Sequence, residues 1–155
     1  MGQKLENVVQ RFCERAQIEL GERSGDDAFS LSFGDRVNVD LIEEENEVVA
    51  LYCIVHQFEE LPDAETLALI CQANFGCAAT RGSSLGLSLE TRTVLLTRFW
   101  PLDHLDEDGF DSLLGVFVET AEFWIDRLNG AVSEDAKQET AQDETPPDSI
   151  FSFRL

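Results

Sequence analysis

The residues able to do chemistry are few, and their spacing does not assemble them. Four cysteines stand at Cys13, Cys53, Cys71 and Cys77, with no C-x-x-C pair, and neither His56 nor His104 lies at a zinc-type spacing from any of them. They read as reduced thiols, mostly small hydrophobic fillers of a cytoplasmic protein. Ser83, Ser84 and Ser112 lack the G-x-S-x-G setting of an activated nucleophile. Gly82 and Gly86 bracket a loop with no lysine, and it precedes a strand rather than the helix a phosphate loop requires. Asp103, Asp106, Glu107 and Asp108 miss the Gly and Glu positions of a calcium loop and suit the first turn of a helix better. No enzyme, metal site or cofactor is expected from these patterns.

Charge narrows the partners. Asp and Glu number 31 against 11 Lys and Arg, a net charge of −20 over 155 residues. Such a chain repels phosphate backbones and anionic lipid, and it favours a basic partner or simply keeps itself soluble. No run approaches the 18 apolar residues of a membrane span, and no secretory signal opens the chain. Residues 1–70 hold 16 acids and five bases, whereas residues 71–100 hold Glu90 alone against Arg81, Arg92 and Arg98. Like-charged subunits must meet where their charge is low, so this acid-poor stretch is a candidate interface.

The elements around these residues follow from hydrophobic period. Leu5, Val8, Val9, Phe12 and Ala16 mark an amphipathic helix over residues 3–20, stopped at Gly21. Phe29, Leu31 and Phe33 alternate with serines, Gly34 and Asp35 reverse the chain, and Val37, Val39 and Leu41 return it as a hairpin. After an acidic turn at residues 43–47, the continuous apolar run at residues 48–55 reads as a strand covered on both faces. Asp63 caps a second helix that runs to Phe75 and stops at Gly76. Leu85, Leu87 and Leu89 begin a second hairpin, turning at Thr91 and Arg92 and ending at Pro101. Asp106 caps a last helix whose stripe from Phe110 to Leu128 is closed by Asn129 and Gly130. The fold class is α+β: a twisted, mainly antiparallel sheet packed by helices, with residues 1–130 as one domain. Residues 131–155 form an acidic flexible tail ending in an alternating apolar hexamer, Ile150, Phe151, Ser152, Phe153, Arg154 and Leu155.

Three segments in this order resemble the class I type III secretion chaperones, the Tir-chaperone family. LALICQANF at residues 67–75 is similar to the family's second helix, and LGLSLE at residues 85–90 to its following strand. Leu102, Asp103 and Leu105 lead into a helix whose Ala121, Glu122, Phe123 and Trp124 are like the family's closing helix. The resemblance covers residues 3–130 and implies a bacterial cytoplasmic homodimer that binds the N-terminal region of a secreted effector in extended form. It implies no enzymatic activity, no nucleic-acid partner and no membrane. It also implies a dimer seam at the second helix and the strand after it: Leu67, Ile70, Cys71, Asn74, Phe75, Leu85, Leu87 and Leu89. All but Leu67 and Ile70 fall in the acid-poor stretch. The expected effector groove is Leu5, Val9, Phe12, Phe29, Leu31, Phe33, Val37 and Val39; the same residues serve equally as monomer core, because alternation does not say which face is dry. A regulatory member of the family, sequestering a secretion component that controls transcription, is the alternative.

Overall fold

A computed structural model describes residues 3–18, 20, 28–45 and 47–138. Helix α1 (Gln3–Ala16) precedes strands β1 (Ala28–Phe33), β2 (Val37–Glu44) and β3 (Val48–Gln57). Helix α2 (Ala64–Ala73), strands β4 (Ser84–Ser88) and β5 (Thr93–Pro101) and helix α3 (Glu107–Gln138) follow, the order expected from hydrophobic period. The strands form one antiparallel sheet in the order β1-β2-β3-β5-β4, leaving β1 and β4 as its edges.

One face of the sheet carries the core. Phe29, Leu41 and Leu51 stand in one cross-strand row, and Cys53, Leu96 and Leu85 in another. All six are buried in one core with α3, whose Phe110, Leu114, Phe117, Ala121, Trp124 and Leu128 form the expected stripe. Helix α1 lies beside α3, with the Phe12 ring edge-on to Phe110 at 5.5 Å. Four arginines bind the rim of α3 to the rest: Arg11 and Arg15 of α1 meet Glu107 and Asp111, Arg36 of the first hairpin meets Asp126, and Arg81 meets Glu119 at 2.8 Å. Four of the eleven bases are thus paired within the fold.

The expected caps are present. Thr66 N–H donates to the Asp63 carboxylate at 2.7 Å, and Gly109 N–H to Asp106 at 2.7 Å. Three boundaries differ from expectation. Helix α1 stops at Ala16, because Gln17 adopts φ +54° and Ile18 N–H reaches back to Cys13 C=O at 3.1 Å, a Schellman closure without glycine. Gly21 lies outside the described residues. Helix α2 ends at Ala73, and a 3-10 turn over Phe75–Cys77 follows, with Gly76 at φ +70°. Helix α3 runs through Asn129 and Gly130 to Gln138. Gly130 keeps a right-handed backbone there, and a glycine terminates a helix only when it turns left-handed. The part of the expected tail from residue 139 on lies outside the described residues.

Strand β3 also departs from expectation, for its outer face is covered at Ala50 but opens toward Ile54. Val49, Leu51 and Cys53 are buried, while Tyr52 is half-buried and Ile54 is 61% exposed. A bulge between Ile54 and His56 then breaks the alternation. Val55 stays buried, and His56 pairs with Val94 on the helix side, where its imidazole meets the Asn129 side chain of α3.

Candidate interaction surface

With the helices on one face, the other face of the sheet is left to solvent, and its two halves differ in chemistry. Across β1 and β2 it is polar: Ser30 Oγ donates to Asp40, and Ser32 Oγ to Asn38 Oδ1 at 2.7 Å. Across β3 and β5 it carries apolar side chains between threonines, and β4 adds only Ser84, Gly86 and Ser88. Ile54, Leu95 and Gly86 share one row, and Phe99 lies two residues along from Thr97, the partner of Tyr52. The Tyr52 and Phe99 rings meet edge-on at 6.4 Å, and Phe99 is 60% exposed. A shallow groove of about 410 Å³ runs over Ile54, Leu95, Gly86 and Leu87. Apolar surface of this kind, bounded by a polar half, marks an interaction site.

The expected seam residues separate into two layers. Ile70 and Leu85 are buried inside the protomer, Asn74 and Leu87 are half-buried, and Leu67, Cys71, Phe75 and Leu89 face solvent, Phe75 at 69% exposure. Asn74 has a specific structural task. Its amide donates to Leu85 C=O at 2.8 Å and to Ile70 C=O at 3.2 Å, while its carbonyl accepts from Leu85 N–H at 2.8 Å. One side chain thereby mimics a strand neighbour and closes the β4 edge at Leu85, fastening α2 to the sheet. Ile54, Leu95 and Phe99 are the residues sequence reasoning left out. The signal was the alternation of Thr93, Leu95, Thr97 and Phe99, hidden because Val94 and Leu96 are apolar too.

The expected effector-groove residues are placed mostly in the core: Leu5, Val9, Phe29, Leu31, Val37 and Val39 are buried. Phe12 and Phe33 are half-buried, their rings 6.4 Å apart, and come to the surface between α1 and β1. Just beside them Leu20 forms a bridge to Leu31 on the free edge of β1. The other six belong to the core cluster against which Phe12 and Phe33 pack.

The thiols divide as well. Cys13 and Cys53 are buried, and burial pushes the Cys53 thiol up to about 11; Cys71 and Cys77 are exposed. Among the described residues no three His, Cys, Asp or Glu side chains gather as a metal site, and no helix is long and apolar enough to cross a membrane.

Comparison with known proteins agrees with this architecture. No curated protein sequence matches. Among solved structures, the ExsC-ExsE complex matches over 81% of this chain and 93% of its own, with 23% identity and a TM-score of 0.66. The HopA1-SchA chaperone-effector complex matches over 81% and 95%, with 10% identity and a TM-score of 0.65. YbjN from E. coli, described as a candidate transcription regulator, matches over 81% and 91%, with 10% identity and a TM-score of 0.57. At these identities the likeness is one of fold. The family-level match is direct: the model of the Tir chaperone protein (CesT) family matches residues 7–125, from α1 through the core-facing stripe of α3. The chain belongs to the Tir chaperone (CesT) family, a family of type III secretion chaperones.

Proposed function

We propose that this chain is a homodimeric chaperone that holds the N-terminal region of a secreted polypeptide in extended form and keeps it soluble. Membership of the chaperone family carries the reading. The uncovered apolar half of the sheet supports it, because a fold that leaves Ile54, Phe99 and Phe75 in water has surface to bury against other polypeptide. In this reading the extended partner lies along α1 and β1, over Phe12 and Phe33, with Leu5, Val9, Phe29, Leu31, Val37 and Val39 as a rigid floor. A strand from the partner that extends the sheet at β1 displaces Leu20 from Leu31. The seam between subunits is formed by Leu67, Cys71, Phe75 and Leu89 with the apolar sheet face. Ile70, Leu85 and Asn74 hold that surface from beneath.

The test is co-expression with the first hundred or so residues of candidate effectors from the same bacterium. A soluble complex that co-purifies, with effector lost to the pellet in its absence, is the expected result. A chain that leaves every such effector's solubility unchanged overturns the reading. The regulatory alternative is separated by deleting the gene. Loss of a single effector supports the chaperone; a changed level of the whole secretion regulon supports the regulator.

A further inference from the structure

A second groove lies away from the sheet face, where β3 runs out toward α2. Its volume is about 410 Å³, and His56, Phe58, Leu61 and Pro62 give it an apolar lining. The His56 and Phe58 rings pack edge-on at 4.4 Å, Phe58 is buried, and Leu61 stands 63% exposed at the side. Glu59, Glu60 and Asp63 rim it with negative charge. A space of this size holds an aromatic side chain with a neighbour. Its wall is tied to α3, since His56 meets Asn129.

The sequence supplies an occupant of matching chemistry. Residues 151, 153 and 155 are Phe, Phe and Leu, which share one face of an extended segment, and Arg154 is the one base after Lys137. From Asn129 to the end of α3 at Gln138 the helix advances about 14 Å. Eleven residues separate Gln138 from Ile150, and a random-coil chain of that length spans about 18 Å on average. That reach exceeds the length of helix beyond Asn129, so the connection is long enough to bring the hexamer to the level of Asn129, at an effective concentration on the order of 1 mM.

We propose that residues 150–155 fold back into the groove between β3 and α2, seating Phe151 and Phe153 on Phe58, Leu61 and Pro62 with Arg154 toward Glu59, Glu60 and Asp63. The hexamer then shields an apolar surface of its own subunit and is a tethered competitor for any partner segment that enters there. No effector takes part in this contact, so it stands or falls separately from the chaperone reading.

Amide spectra of the full chain and of a chain truncated after Ser149 test it. Truncation is expected to shift resonances of residues 56–66, and the free hexapeptide added to the truncated chain to restore them with half-saturation at about 1 mM or below. F151D with F153D in the full chain, and separately L61D at an exposed groove position, should each reproduce the truncated spectrum at residues 56–66. Unmoved resonances there overturn the proposal. So do shifts confined to Ile54, Gly86 and Leu95, which place the hexamer elsewhere, and shifts that vanish on dilution, which make the occupant a second copy.

Discussion

Asn74 shows how one side chain can fix an edge. Its amide satisfies both the N–H and the C=O of Leu85, so N74A leaves two backbone groups of β4 to water and frees α2. The expected cost is about 1–3 kcal/mol, seen as a loss of about 2–4 °C in Tm for each of those kcal/mol in a chain of this length. An unchanged melting curve would mean that the clamp adds nothing beyond the packing of Ile70. His56 acts in the opposite sense with pH. Burial lowers its pKa from the ordinary 6.5, with the Asn129 bond opposing. A base whose folded pKa lies below its unfolded one costs stability as the pH falls through the unfolded value, because the unfolded chain takes the proton first. Denaturant melts at about pH 7.5 and about pH 5.5 should therefore show a larger loss for the native chain than for H56Q. Equal losses would mean that the imidazole protonates as readily folded as unfolded.

At the scale of elements, the two faces of the sheet make opposite demands on similar residues. Leu51 and Ile54 both belong to the apolar run of β3, yet Leu51 is fully buried beneath α3 and Ile54 faces water. L51A is expected to cost about 2–5 kcal/mol by leaving a cavity. I54S and F99S, measured in dilute solution, should change stability by less than about 1 kcal/mol. Comparable losses at both positions would show that the outer face is covered after all. The bulge after Ile54 is what ends this division, because it rotates His56 toward the helices while Val55 stays inside.

The whole molecule poses a charge problem. In the proposed dimer two subunits of −20 each repel, and four of the eleven bases are already engaged within the fold, at Glu107, Asp111, Glu119 and Asp126 of α3. The proposed dimer is therefore expected to form through the acid-poor surface around Phe75 and to tighten as salt screens the remainder. F75D is the appropriate probe, since Phe75 is exposed, whereas a charge at the buried Ile70 would unfold the protomer itself. Sedimentation should show a native dimer whose dissociation constant falls with added salt and an F75D chain that stays monomeric yet folded. Cys71 should be alkylated more slowly at dimer-forming concentrations than in F75D, with Cys53 inert in both because burial keeps it a thiol. Equal rates at Cys71 would move the seam away from α2.

The sequence alone determined the order and type of every element, because hydrophobic period is a local property: serine-spaced phenylalanines make β1, and a stripe through five turns makes α3. It also determined the caps at Asp63 and Asp106, where one residue's chemistry decides. It placed the helix ends less well. Gln17 stops α1 in a conformation that glutamine seldom adopts, and Gly130 is carried through by the good helix formers after it. Only the tertiary structure decided which apolar residues are core and which are surface. In β3 and β5 both faces read as apolar, and the deciding fact is that α1 and α3 pack on one side while nothing in the same chain's described residues covers Ile54 and Phe99. Burial depends on what lies opposite, and alternation along a strand carries no information about its neighbours.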